Sequence, residues 1–345
     1  MARLLGDATT IRQSGKRYLP LVLSVLLFVA FAALAINHAI YFTMDGDEAF
    51  NASIAKNWVA GYGYSSSLGV VFPFDAYISS GPAYTLLQAL PIYFFGNDPD
   101  IQKPFITIVH LLLLGNILLL LRKKIQDDRR FFSFVAFTLS SFLLIEFRFW
   151  HRPAGELLSL LYFLNAALLL SNAIEQKKCS LFLMAGLFVA LSALTKNQAA
   201  LWIIGIFIPL IFTCIKKPSR QNFLFLAAFF ITSFIPVFAW ELYKHAVMSQ
   251  LAISDPDLYE YGLGKDWHFF STHGSGMYLS WEIETWQDLF RRLSSTPKLA
   301  FTKFNELFGA YGIFSAAYTA ALTLFTIWIL ANSYQKNKST YWLFL

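Results

Sequence analysis

An all-α, polytopic transmembrane helical bundle with interfacial helices on its outer face is the fold class that three observations predict. Of the 345 residues, 57% are hydrophobic, 18% aromatic and only 14% charged, with a mean hydropathy of +0.52. That composition belongs to membrane chains rather than to soluble domains. Apolar runs recur along the whole length, several close to the ~20 residues a helix needs to cross a hydrocarbon core. Basic residues sit in short clusters between those runs. The net charge of +6 therefore reads as a topological signal and not as a nucleic-acid footprint.

The runs expected to span are 20–42, 104–121, 131–150, 154–174, 180–194, 199–215, 222–243 and 307–331. Backbone N–H and C=O groups cannot go unpaired in lipid, so each must be a helix, and the shortest need interfacial help. Arg17 precedes the first run, and Ala33-Leu34-Ala35 within it resembles a leader cleavage site. Its apolar stretch, 19–36, exceeds the ~7 to 15 residues of a usual signal core, which makes it a retained anchor. Residues 1–19 are then a cytoplasmic tail, 20–335 the membrane domain, and 336–345 a cytoplasmic turn opening a further span.

Orientation follows from the basic clusters. With the N-terminus inside, Arg3, Arg12, Lys16, Arg17, the group from Arg122 to Arg130, Lys177, Lys178, Lys216, Lys217, Arg220, Lys336 and Lys338 all face the cytoplasm. They form the majority of the 27 Lys and Arg, although the outer segments are far longer, as the positive-inside rule requires. Cys179 and Cys214 fall at cytoplasmic helix ends, where no disulfide is expected. Two long segments, 43–103 and 244–305, lie outside, so the working face is extracytoplasmic and the location is the cell membrane.

Within the first outer segment, Phe50, Ile54 and Trp58 recur at helical spacing, with Glu48, Asn51, Lys56 and Asn57 elsewhere on the turn. This predicts an amphipathic helix on the membrane surface. A second apolar stretch opens at Ser80-Gly81-Pro82 and closes at Gly96. Counting it as a span would put the basic loop 122–130 outside, so residues 81–95 read as an interfacial or re-entrant helix. The segment 244–305 mixes Trp267, Trp281, Trp286, Tyr259, Tyr261 and Tyr278 with acids, a pattern that suits a sugar-binding wall and an interfacial belt alike.

Ionisable residues predicted at the outer boundary carry the candidate chemistry, because holding charge at that depth is costly without a task. Asp47 and Glu48 open the surface helix, Arg148, Arg152 and Glu156 surround the turn after the third span, and Lys196 follows the fifth. Each also has a plainer reading. The acid pair suits the positive end of a helix dipole, the lysine suits a snorkelling helix end, and the arginines suit pairing with Glu146 and Glu156. The six histidines show no compact metal-ligand spacing; no metal ligand is assigned, and a divalent-cation requirement stays open.

The order of these features resembles a known family. One anchor helix, then Asp47-Glu48-Ala49-Phe50, then Ile78-Ser79-Ser80-Gly81-Pro82 leading to Phe94-Phe95-Gly96, then His151-Arg152-Pro153-Ala154-Gly155-Glu156, then Leu194-Thr195-Lys196 is similar to the GT-C class of polyprenyl-phosphate-sugar-dependent glycosyltransferases. The likeness is to the protein O-mannosyltransferase and lipid A aminoarabinose transferase family in particular, and it covers roughly residues 15 to 335. Two features depart from the family's pattern. The second acid is Glu156 where the family often has Asp, and the chain ends at Leu345 where family members continue through more helices.

The resemblance implies an enzyme that moves a sugar from a polyprenyl-phosphate-linked donor in the bilayer to an acceptor hydroxyl of a glycolipid, polysaccharide or protein, with no nucleic-acid partner. A base must take the acceptor's proton as it attacks the anomeric carbon, and Asp47 is the first choice, with Glu48 and Glu156 behind it. The departing phosphate gains charge, so fixed cations aimed at it favour the transition state; Lys196, Arg148 and Arg152 are the expected contacts. A single carboxylate base without an enzyme nucleophile implies inversion. A non-catalytic assembly subunit and a lipid-linked-sugar transporter are the competing readings.

Overall fold

The computed structural model describes residues 2–41, 46–67, 71–73, 81–146, 155–196 and 218–257, with 207, 210, 211 and 215; within these, the side chains of 2–17, 46–48, Ser67, Phe72, Pro99, 141–146 and Glu156 are not described. The chain divides into two compact units, Met1–Gly274 and Ser275–Leu345, and every described residue belongs to the first. The expected spans 199–215, for the most part, and 307–331 lie outside the described residues, as do the aromatic segment from 258 onward and the turn 336–345.

The described part is mostly helical. Its helices are α1 (Ala2–Tyr41), α2 (Gly46–Val59), α3 (Pro82–Phe95), α4 (Pro99–Lys124), α5 (Asp128–Glu146), α6 (Glu156–Gln176), α7 (Cys179–Thr195) and α8 (Arg220–Ser254). A short antiparallel ribbon, β1 (Ser65–Ser67) with β2 (Val71–Pro73), pairs Ser66 with Phe72 between α2 and α3. Four helices are long and apolar enough to cross a membrane: Tyr18–Tyr41, Asp100–Lys124, Leu157–Gln176 and Arg220–Ser254. Helix α7 is equally apolar but has 17 residues.

Helix ends fall where local chemistry dictates. The Asp98 carboxylate accepts from the Asp100 N–H at 2.8 Å, and Pro99 follows it, which starts α4. The Ser219 hydroxyl accepts from the Asn222 N–H at 3.0 Å and starts α8. Pro82 opens α3, and Gly96 closes it at φ 85°, a left-handed conformation that disfavours other residues.

The expected limits differ from the observed ones at three places. Helix α1 does not begin near residue 20 but runs unbroken from Ala2 through Pro20 to Tyr41, so the residues expected as the N-terminal tail are helical. Helix α8 does not stop at residue 243, where hydropathy falls, but continues in helical hydrogen bonding to Ser254. The apolar stripe of α2 does not lie on lipid. Ile54 is fully buried with Tyr64 and Met248, and Phe50 and Trp58 pack against the same cluster with Trp240, Val247 and Leu251 of α8. Asn51 and Asn57, on the supposed water side, are buried too. Asn57 donates to the Ser65 carbonyl at 2.9 Å, which ties α2 to β1.

Helix α7 packs between α6 and α8, α6 touches α4, and α1 lies against α4 and α5. Small and polar residues set these contacts, as expected where lipid removes the hydrophobic drive between helices. Ser159 Oγ donates to the Ser192 carbonyl at 2.9 Å, and Ser192 Oγ returns a bond to the Ser159 carbonyl at 2.8 Å. Asn116 donates to Asn165 at 2.6 Å, and Asn165 donates in turn to the Leu113 and Leu161 carbonyls. At Gly186 a Cβ would stand 2.1 Å from Thr232 Oγ1 and 2.5 Å from the Phe229 carbonyl oxygen.

Gly186→Ala should therefore cost about 1 to 3 kcal/mol by overpacking. Gly115→Ala, whose Cβ would meet only Phe28 Cζ at 3.4 Å, should be near neutral. Denaturant titration of both variants in detergent micelles, followed by far-UV circular dichroism, checks the contrast.

Candidate functional site

The two ends of this helix assembly differ in chemistry. At one end, Lys124 meets Ser171 at 3.1 Å and pairs with Glu175, while Arg122 pairs with Asp128 and stands 5.4 Å from the centroid of the Phe131 ring. This is the end of the clustered basic residues. Helix α6 then runs 21 residues from Gln176 back to Glu156, about 31 Å, which matches a hydrocarbon core of ~30 Å.

At the other end three segments from distant parts of the sequence meet. The Gly81 N–H, just before α3, donates to the Thr195 carbonyl at the close of α7 at 2.9 Å. The approach is so tight that a Cβ on Gly81 would lie 1.9 Å from the Leu194 carbonyl oxygen. Gly155 caps α6 at φ 83°. A Cβ there would lie 3.3 Å from Thr195 Cγ2, 3.4 Å from Lys196 Cε and 3.6 Å from Tyr84 Cγ. The aliphatic stem of Lys196 thus rests against the turn that starts α6, with the residue 9% exposed. Its backbone N–H bonds the Ser192 carbonyl at 3.1 Å and ends α7.

The sequence-predicted site residues divide accordingly. Lys196 is at this junction, and Glu156 is the first residue of α6, immediately after Gly155. Asp47 and Glu48 belong to the first turn of α2. Asp47 precedes Trp58 by eleven residues, about 16 Å along the helix axis. The side chains of Asp47, Glu48 and Glu156, and all of Arg148 and Arg152, lie outside the described residues. Among the described residues no group of three or more His, Cys, Asp or Glu side chains is arranged to hold a metal.

Beside the junction is a cavity of about 500 Å³ whose walls include Trp58 of α2, Pro82 and Leu86 of α3, Leu194 of α7, and Pro236 and Trp240 of α8. Those walls are almost entirely apolar. Aromatic rings brace one side. Trp58 lies 6.0 Å from Tyr64 and 6.3 Å from Trp240, centroid to centroid, and Trp240 lies 5.5 Å from Tyr243. Tyr64 is buried, and that burial pushes its phenol well above the ordinary range, with the hydrogen bond to Thr85 pulling modestly the other way. It stays neutral at physiological pH.

Sequence reasoning passed over this wall, because Trp58, Trp240 and Tyr243 stand nearly two hundred residues apart and each suits an interfacial belt. It also passed over Glu241, a carboxylate 5% exposed within α8 whose Oε2 stands 2.6 Å from the Lys244 ammonium. An acid inside an apolar run was the available signal.

Comparison with protein-family models, with curated proteins and with solved structures finds no match to this chain.

The junction depends on two residues having no side chain. Gly81→Ala should break the α3 to α7 contact and lower stability by about 1 to 3 kcal/mol. Gly155→Ala should cost about 1 to 2 kcal/mol through its left-handed backbone alone. Thermal unfolding in micelles reads both, and Gly61→Ala supplies the reference: it too has a positive φ, 87°, but nothing within 4 Å of its Cβ. Gly81 has an ordinary φ of −84°, so packing alone acts there. No loss at 81, together with equal losses at 61 and 155, would show that close packing does not govern the junction.

Proposed function

We propose that this protein is a membrane glycosyltransferase that moves one sugar from a polyprenyl-phosphate carrier to an acceptor hydroxyl at the extracytoplasmic face, with inversion. The observation that carries this reading is the meeting of Gly81, Gly155 and Lys196. Three short motifs read separately from the sequence, each weak alone, come together at the end of the helices opposite the basic clusters: Gly81 bonds the Thr195 backbone, and Gly155 lies against the side chains of Thr195 and Lys196. Positive-inside orientation makes that end the outer one.

The chemistry of the junction suits a lipid-linked sugar phosphate. Lys196 follows Leu194 of the cavity wall by two residues, and its cation would stabilise a phosphate that gains charge on leaving. The adjoining apolar volume suits the first isoprene units of a carrier whose tail stays in the bilayer. The proton of the acceptor hydroxyl needs a carboxylate, and two positions compete for that role. Asp47 opens the motif that the family resemblance marks, while Glu156 is the acid whose backbone adjoins the Lys196 stem. Arg148 and Arg152 complete the proposed phosphate contacts.

Membranes containing the full chain, incubated with radiolabelled polyprenyl-phosphate sugars and candidate acceptors, test the proposal. Wild type should release labelled product. Lys196→Met keeps the stem against Gly155 and removes the charge, so it should lower turnover by about 10²-fold or more, the range for loss of one transition-state electrostatic contact. Of Asp47→Asn and Glu156→Gln, the variant lacking the base should lose about 10² to 10⁴-fold while the other retains activity. A folded wild-type protein that transfers no sugar from any donor would sink the reading and leave an assembly subunit or a transporter in its place.

A further inference from the structure

Helix α3 is inside out. Its buried face holds its polar side chains: Thr85 and Gln88 are each 2% exposed, and the Gln88 amide donates to the Tyr84 hydroxyl at 3.4 Å. Its outward face carries Leu86, Leu90, Tyr93 and Phe94, at 38%, 46%, 71% and 69% exposure. These four recur at positions i, i+4, i+7 and i+8, one continuous stripe on a helix. A helix lying at a water surface would place polar residues outward. Between Pro82 and Phe95 this one exposes no polar group but the Tyr93 hydroxyl.

Both ends of α3 attach at the same end of the neighbouring helices. Its start is bonded to Thr195 at the close of α7, and its finish is joined through Gly96–Asp98 to the start of α4. The segment therefore enters and leaves on one side and does not cross. It packs against a membrane-length helix, α4, which itself exposes Ile108, Leu112 and Leu119. The tip is aromatic: Tyr93 meets Phe94 edge-on at 5.2 Å, and Phe95 is 65% exposed. Asp98 and Asp100, beyond the turn, supply the water-facing charge.

We propose that α3 is a re-entrant wedge whose Leu86, Leu90, Tyr93 and Phe94 face is seated among the acyl chains of the outer leaflet. The occupant of this face is lipid, because the Tyr93 hydroxyl is the one polar group among its exposed side chains and α3 packs against a helix of membrane length. The aromatic tip belongs at the boundary between chains and headgroups, where Tyr and Phe partition well. This inference does not depend on the transferase reading.

Site-directed spin labelling tests it. In the full chain with Cys179→Ser and Cys214→Ser, labels are placed by Leu86→Cys, Leu90→Cys, Phe94→Cys and, as the aqueous reference, Asp100→Cys, a residue 74% exposed. The protein is reconstituted in nanodiscs of phosphatidylethanolamine and phosphatidylglycerol. At 86, 90 and 94 the collision rate with oxygen should be several-fold above that at 100, and the rate with a water-soluble nickel chelate several-fold below it. Nickel accessibility at 90 and 94 equal to that at 100 would place the face in water and overturn the proposal. Labels immobilised and shielded from both reagents would also overturn it, since a second copy of the chain would then cover the stripe.

Discussion

A single backbone hydrogen bond, from the Gly81 N–H to the Thr195 carbonyl, governs how the junction of α3, α6 and α7 is put together. The last carbonyls of any helix lack intrahelical donors, and in a low-dielectric setting such a group is expensive to leave bare. Here the start of α3 supplies the donor for α7. The contact works only because Gly81 has no side chain, since any Cβ would collide with the Leu194 carbonyl. The same stretch of α7 then receives the Gly155 turn on its other side, so two junctions share one helix end. Lys196 is held where it is because both neighbours are glycines.

Much of the fold was legible in the sequence for a simple reason: the bilayer restricts a spanning chain to helices, so hydropathy alone locates α4, α6 and α7 within a few residues. What hydropathy does not report is what covers an apolar stripe. Phe50, Ile54 and Trp58 have the spacing of a surface helix whether lipid or protein lies opposite. The partner, Met248 and its neighbours on α8, lies almost two hundred residues away. Nor does hydropathy mark where a helix ends. Lys244 and His245 interrupt the apolar run, yet the backbone ladder of α8 continues for ten more residues. At the site, the order of the short motifs could be read, but the contact between Gly81, Gly155 and Lys196 could not, because each glycine looks like an ordinary cap until its neighbour is known. The acids proposed as the base occupy helix first turns, where a cap and a catalyst use the same residue type.

Polar groups inside the apolar layers follow a consistent logic. Ser159 with Ser192, and Asn116 with Asn165, bond across helices and also to backbone carbonyls, so the buried capacity of each pair is largely used. Such pairs contribute modestly, on the order of 1 kcal/mol each, but they fix which rotation of each helix faces its neighbour. The polar side of α3 also turns inward, with Thr85 and Gln88 bonding within their own segment, and its outer side carries aliphatic and aromatic side chains. Helix α2 differs, being enclosed on both its apolar and its amide-bearing sides, by side chains of α8, by β1 and by α3.

Helix α8 has 35 residues, so at about 52 Å it is some 20 Å longer than a hydrocarbon core of ~30 Å. On the proposed orientation, with its basic start level with the cytoplasmic boundary, the surplus would stand beyond the outer one as a mast. Phe50, Ile54 and Trp58 are fastened to that mast, and Pro236 and Trp240 lie lower on it as one wall of the cavity. Any tilt of α8 in the bilayer therefore swings α2 and shifts the cavity wall in one movement, so membrane thickness becomes a mechanical input to the site.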